Sequence, residues 1–168
     1  MERHVPMSGA TELEALQYFL DVNRDVLVWK LDGLTEEQAR WSPVPSGTSL
    51  LGLVKHCAWV EYGWFQESFD RHIPEVDVTE EDSFGFSPLE SDSIESVLAL
   101  YARARAASDA AVDELGLDAV GMDEDGPVDL RWIMGHLIEE TARHAGHADI
   151  IRELIDETKG YYPPDPTS

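Results

Sequence analysis

The sequence predicts an all-α four-helix bundle, and three observations point there. Four long stretches of the 168-residue chain repeat apolar side chains at helical spacing. Nothing reads convincingly as a strand. The connection between the second and third stretches is long enough to cross the molecule. Some twenty extended residues span about 60–70 Å, whereas the second helix is only about 33 Å long. The third helix can therefore start at the far end and run parallel to the second, a crossover found in some four-helix bundles.

The first helix is expected from about Thr11 to Leu31. Leu13, Leu16, Leu20, Leu27 and Leu31 fall mostly on one side, and Gly33 ends it. Thr35 and Gln38 have capping-box spacing and predict a short helical turn. Pro43, Pro45 and Gly47 then break the chain. The second helix runs from Ser49 to Asp70, with Thr48 or Ser49 as its cap. Residues 71–91 form a long acidic loop, with Phe84 and Phe86 tucked onto the body. Asp92 and Glu95 start the third helix, which reaches Leu115. Residues 116–126 are read as loop, and Pro127 to Asp129 open the fourth helix, which reaches about Glu157. The chain reads as one domain, 1–168, with a loose Pro-rich tail from about Lys159.

Composition limits the function. With 43% hydrophobic residues and five Trp there is enough apolar surface for one core, which argues against global disorder. No apolar run approaches the roughly 18 residues of a membrane span. The N-terminal MERHVPMSGATE lacks a signal-peptide core, so a cytoplasmic protein is expected. Cys57 is the one cysteine, so no intrachain disulfide can form. The formal charge of −22, from 34 acidic and 12 basic residues, repels phosphate backbones and anionic lipid heads. Neither nucleic acid nor membrane is an expected partner. No P-loop, GxGxxG, GxSxG or CxxC pattern occurs, which argues against nucleotide, hydrolase-elbow and dithiol chemistry.

The stretch RWIMGHLIEETARHAGHADIIREL, Arg131 to Leu154, carries the chemistry. Leu130, Ile133, Leu137, Glu140, His144, Ala148, Ile151 and Ile155 follow steps of three and four. Glu140 and His144 thus stand in the middle of an apolar stripe. An unpaired buried carboxylate costs several kcal/mol, so a proton, a partner or a metal must relieve it. The second helix repeats the anomaly, with His56 in the stripe of Leu53, Val60 and Trp64. Three such residues on two helices can converge on one ion in a bundle core, and three ligands with an open position make a catalytic metal site. Alone, His56 would be an ordinary core histidine, and Glu140 with His144 a helix i, i+4 pair. The three together favour metal.

His147 also has usable spacing from His144, but lies about 10.5 Å along the axis from Glu140. On spacing, the last helix supplies either Glu140 with His144 or His144 with His147. His136 borders the pocket one turn earlier, and His4 and His72 lie outside the helices. Cys57 is rotated about 100° from His56 and reads as helix packing. Asp149 reads as solvated, Arg143 and Arg152 as exposed ion-pairing residues, and Trp59, Trp64 and Trp132 as core or pocket wall.

In WKLDGLTEEQARWSPVPSGTSLLGLVKHCAWVEYGWF and LRWIMGHLIEETARHAGHAD the sequence resembles the DinB/YfiT-like metalloenzyme superfamily, over about Leu16 to Glu153. The resemblance implies an up-down-down-up bundle holding a divalent metal with one second-helix His and two ligands from the last helix. His56 matches the first. The common pattern has two histidines and then Arg-Gly-Gln; here Glu140, His144, Ala145, Gly146 and His147 stand instead. This departure is similar to the mycothiol-dependent maleylpyruvate isomerase branch, which uses His, Glu and His. That favours His56, Glu140 and His144 as ligands and leaves His147 as a neighbour or alternative ligand.

The implied metal is Zn²⁺ or Ni²⁺, with Mn²⁺ or Fe²⁺ as further candidates, since a carboxylate suits harder ions too. The implied cosubstrate is a low-molecular-weight thiol such as mycothiol, and a homodimer is a family-level expectation. The leading function is a thiol-dependent S-transferase or isomerase acting on small electrophiles. The alternatives are a metal-dependent hydrolase and a non-catalytic metal- or small-molecule-binding stress protein.

Overall fold

Helix caps set the start of every long helix. The structure is a computed structural model that describes residues 8–71, 86 and 88–160. Thr11 caps α1 (Glu12–Trp29): its hydroxyl accepts from Glu14 N, and the Glu14 carboxylate accepts from Thr11 N at 2.7 Å. Thr35 and Gln38 form the same reciprocal cap on α2 (Glu36–Arg40), as their spacing predicts. Ser49 caps α3 (Leu50–Phe65) by accepting from Gly52 N. This helix stops short of Asp70. Gln66 turns its amide to the Ala107 carbonyl at 3.0 Å, and the chain tightens into a 3₁₀ turn over Glu67–Phe69.

α4 covers Ile94–Leu115, and its cap corrects the expectation of Asp92 with Glu95. Ser93 and Ser96 make the reciprocal bonds. Asp92 is used elsewhere, taking Lys55 Nζ at 2.9 Å and Leu89 N at 2.7 Å.

The expectation of no strand is also wrong. Val120–Asp123 (β1) and Gly126–Asp129 (β2) pair antiparallel, with Gly121 opposite Val128. Glu124 and Asp125 form the two-residue connection, and Gly126 takes φ +121°, which disfavours a side chain. Gly121 has a separate reason to lack one: a Cβ there would come within 2.4 Å of the Ser68 carbonyl. The hairpin is therefore pressed against the 3₁₀ turn. The last helix, α5, starts later than Pro127: it runs Leu130–Asp156, and Asp129 caps it by accepting from Trp132 N at 2.8 Å.

The described chain is mostly helical, with one two-stranded sheet. α3 packs most broadly on α4, α1 on α5, and α5 also on α3. Side-chain bonds give the directions. Lys55 near the start of α3 meets Asp92 just before α4, and Gln66 just past α3 meets Ala107 further along α4. α3 and α4 therefore run parallel. Glu12 binds Arg131 at one end of α1 and α5, and Lys30 binds Asp149 at the other, so these two are parallel as well. α3 and α5 are antiparallel: His56 meets Glu140, while Trp64 meets Trp132 and His136.

The core includes Leu27, Leu53, Ala58, Tyr101 and Ala148 in one cluster, and Leu20, Phe65, Leu130, Ile133 and Leu137 in a second. Charged groups are buried too. Arg24 (2% exposed) makes a two-pronged bond to Glu61 (1% exposed), at 2.8 and 2.6 Å, tying α1 to α3. Burial would lower the Arg24 pKa, but Glu61 beside it holds the guanidinium above its ordinary range. Burial pushes the Glu61 carboxyl up, against the pull of Arg24.

Two expectations on α5 are corrected here. Arg152 is buried and donates to the carbonyls of Lys30 and Asp32, closing the C-terminal end of α1. Asp149 is only partly solvated, because it pairs with buried Lys30 at 2.7 Å. No helix among the described residues is long and apolar enough to cross a membrane. His4, His72, Phe84 and most of the expected tail lie outside the described residues.

Candidate metal centre

His56 is brought in by the second turn of α3, and Glu140 and His144 by successive turns of α5. On α5, Leu130, Ile133, Leu137, His144, Ala148 and Ile151 are buried, as the apolar stripe requires. His144 is 3% exposed and His56 8%. The Nε2 atoms of both face one oxygen: Glu140 Oε1 lies 2.9 Å from His144 Nε2 and 3.4 Å from His56 Nε2. Each residue offers a ligand atom, and the three lie within 4.8 Å of one another. The donors of a tetrahedral ion with bonds near 2.0–2.1 Å stand about 3.3–3.4 Å apart, so small side-chain movements suffice to seat one.

The ionisation states suit that use. Burial lowers the His56 pKa below its ordinary value, and the neighbouring His144 lowers it further. Burial likewise lowers His144, against the pull of Glu140. Burial alone would raise the Glu140 carboxyl, but its bond with His144 holds it below the usual range. Neutral imidazoles and an ionised carboxylate are the forms that bind metal. Each imidazole also buries an Nδ1 with no hydrogen-bond partner.

The surroundings divide into an apolar side and a charged side. Phe86, from the long connection, packs against both histidines, with ring centroids 4.5 Å from His56 and 5.2 Å from His144. Arg143 makes the exposed ion pair with Glu139 that its spacing suggests, and also reaches Glu140 Oε2 at 3.3 Å. His147 is exposed, with its ring 5.6 Å from that of His144, and it is not among the three converging ligands. Cys57 is buried in the core, and burial raises its thiol well above the ordinary value. His136 stacks on Trp132 (5.1 Å, 17°) and meets Trp64 edge-on at 5.0 Å. Trp132 itself is 52% exposed, which takes it out of the core.

Two histidines and a half-buried glutamate on facing helices form a group of side chains that could hold one metal ion between helices. The family described as mycothiol-S-transferase matches residues 15–157. The chain belongs to that family, within the DinB/YfiT-like group that its sequence resembles. Among solved structures, a conserved protein from Enterococcus faecalis is similar, with a TM-score of 0.63 and 17% identity. The match covers 89% of this chain and 100% of the other, and at that identity it speaks for the fold alone. No curated protein matches.

Proposed function

We propose that the protein is a divalent-metal-dependent transferase that adds a low-molecular-weight thiol, mycothiol by family, to small electrophiles. The observation that carries this is the convergence of His56, Glu140 and His144, whose lowered pKa values favour neutral imidazoles and an ionised carboxylate. His56, Glu140 and His144 would hold a divalent ion, whose Lewis acidity would make a thiol more acidic and favour its nucleophilic thiolate form.

The chain's own residues do the rest. His56 and His144 present neutral nitrogens, and Glu140 offsets one unit of charge. Arg143 holds the second Glu140 oxygen, leaving Oε1 toward the histidines. Phe86 keeps water from one flank. Exposed His147, whose ring lies 5.6 Å from that of His144, would take the proton that the thiol gives up. A hydrolase has less support: Glu139, the adjacent carboxylate, is exposed and paired with Arg143. The helix directions support reading the four long helices as an up-down-down-up bundle.

Metal analysis of untagged protein tests the site. We expect about one equivalent of metal in the wild type, lost in His56→Ala and in His144→Ala. Undiminished metal in both variants would overturn the assignment. A thiol screen against model electrophiles tests the reaction; a turnover rate that no thiol raises would remove its basis.

A further inference from the structure

Metal-binding histidines are normally held in orientation by a hydrogen bond from the second ring nitrogen to a carboxylate, carbonyl or water. Among the described residues no side chain or carbonyl plays that part: Nδ1 of His56 and Nδ1 of His144 are both buried without a partner there. A bond at Nε2 alone fixes one ring atom and leaves the ring free to turn about it. Packing of neighbouring rings can set the two planes.

Three rings close on one another at this point. The imidazoles are 4.9 Å apart at 78°, and Phe86 stands 4.5 Å from one at 44° and 5.2 Å from the other at 56°. Each ring thus meets the other two at an angle, an arrangement that resists rotation of any one of them. Phe86 is itself seated. A Cβ on Gly52 would fall 1.6 Å from the Phe86 carbonyl oxygen, so the Phe86 backbone lies directly on α3 one turn before His56. Gly52 is thus a seat, and Phe86 fills the space above both histidines.

We propose that Phe86, seated on Gly52, is the positioning residue for the metal ligands, orienting His56 and His144 by ring packing. The proposal rests on the metal reading of the site, and its test separates the two. Co²⁺ titration of the full-length protein gives an affinity and a visible ligand-field spectrum. Long-range ¹H–¹⁵N spectra of the metal-free protein report on the imidazoles directly. Thermal unfolding of the metal-free protein reports on fold.

Phe86→Ala is expected to weaken Co²⁺ binding about tenfold or more and to alter the spectrum, within the range seen when ligand-orienting groups are removed. Phe86→Trp, which restores an aromatic ring, recovers most of the affinity. Gly52→Ala weakens binding in the same direction, although alanine is the better helix former. If Phe86→Ala does not fold, Phe86→Leu takes its place, keeping apolar bulk without a planar face. Wild-type affinity and spectrum in the folded variant would overturn the proposal and leave the metal site standing. If the wild type binds no Co²⁺, the metal reading falls. The positioning role is then decided by whether the sharp imidazole signals of the wild type broaden in the variant; unchanged signals overturn it.

Discussion

Glu61→Ala should be among the most damaging single substitutions in the protein, although Glu61 touches no candidate ligand. The change leaves the Arg24 guanidinium, 2% exposed, without its two-pronged partner. Asp109 and Asp21 still reach Arg24, but their side chains are 55% and 49% exposed, so solvent screens what they return. Breaking a buried pair from one side costs about 3–5 kcal/mol. A domain of this size loses roughly 2–4 °C of Tm per kcal/mol, so a fall of about 10 °C is expected. The comparison that decides the matter is the double variant Arg24→Met with Glu61→Met. With both charges gone no ion is stranded, and the double variant should lie within about 1–2 kcal/mol of the wild type. Urea unfolding of the wild type, Arg24→Met, Glu61→Met and the double closes the cycle. If the double variant loses as much as the singles added together, the two residues are not coupled and the reasoning fails.

Other outcomes follow from the same structure. His56 and His144 both have folded pKa values below the unfolded value, so the unfolded chain binds protons first. The metal-free protein should lose stability as pH falls below about 6.5, and His144→Gln should flatten that loss in Tm measured from pH 7.5 to 5. Gly121→Ala should cost about 1–3 kcal/mol, because its Cβ meets the Ser68 carbonyl at 2.4 Å; an unchanged urea midpoint would mean that the hairpin can move off the turn. Native Cys57, buried and with its thiol pKa raised, should resist alkylation that goes to completion in denaturant. Rapid labelling of the native protein would place it nearer the surface.

The candidate site was legible in the sequence because it breaks a rule of periodicity. Glu140 and His144 interrupt an apolar stripe, and His56 interrupts a second one. No such contrast marks Arg24 or Glu61. On a sequence, a charged residue on a helix looks solvated until its partner, 37 positions away, is known to face it. The hairpin was missed for a different reason. Its strands are four residues each, below the length at which alternation stands out, and they sit among acidic residues beside Pro127. The Asp125-Gly126 step was the available signal. Ser93 lost to Asp92 in the same way: both are good caps, and only the bond of Asp92 to Lys55 shows which was committed elsewhere.

The residues that face one another across the centre come from distant parts of the chain, with His56 and Glu140 separated by 84 positions. An ion held by both would act as a covalent-like cross-link in a chain whose single cysteine can form no intrachain disulfide. Closing a loop of that length removes about 4.5 kcal/mol of chain entropy from the unfolded ensemble, by the estimate used for disulfides. Loading would then be a folding event, and the amount of intact protein in a cell would track its supply of metal.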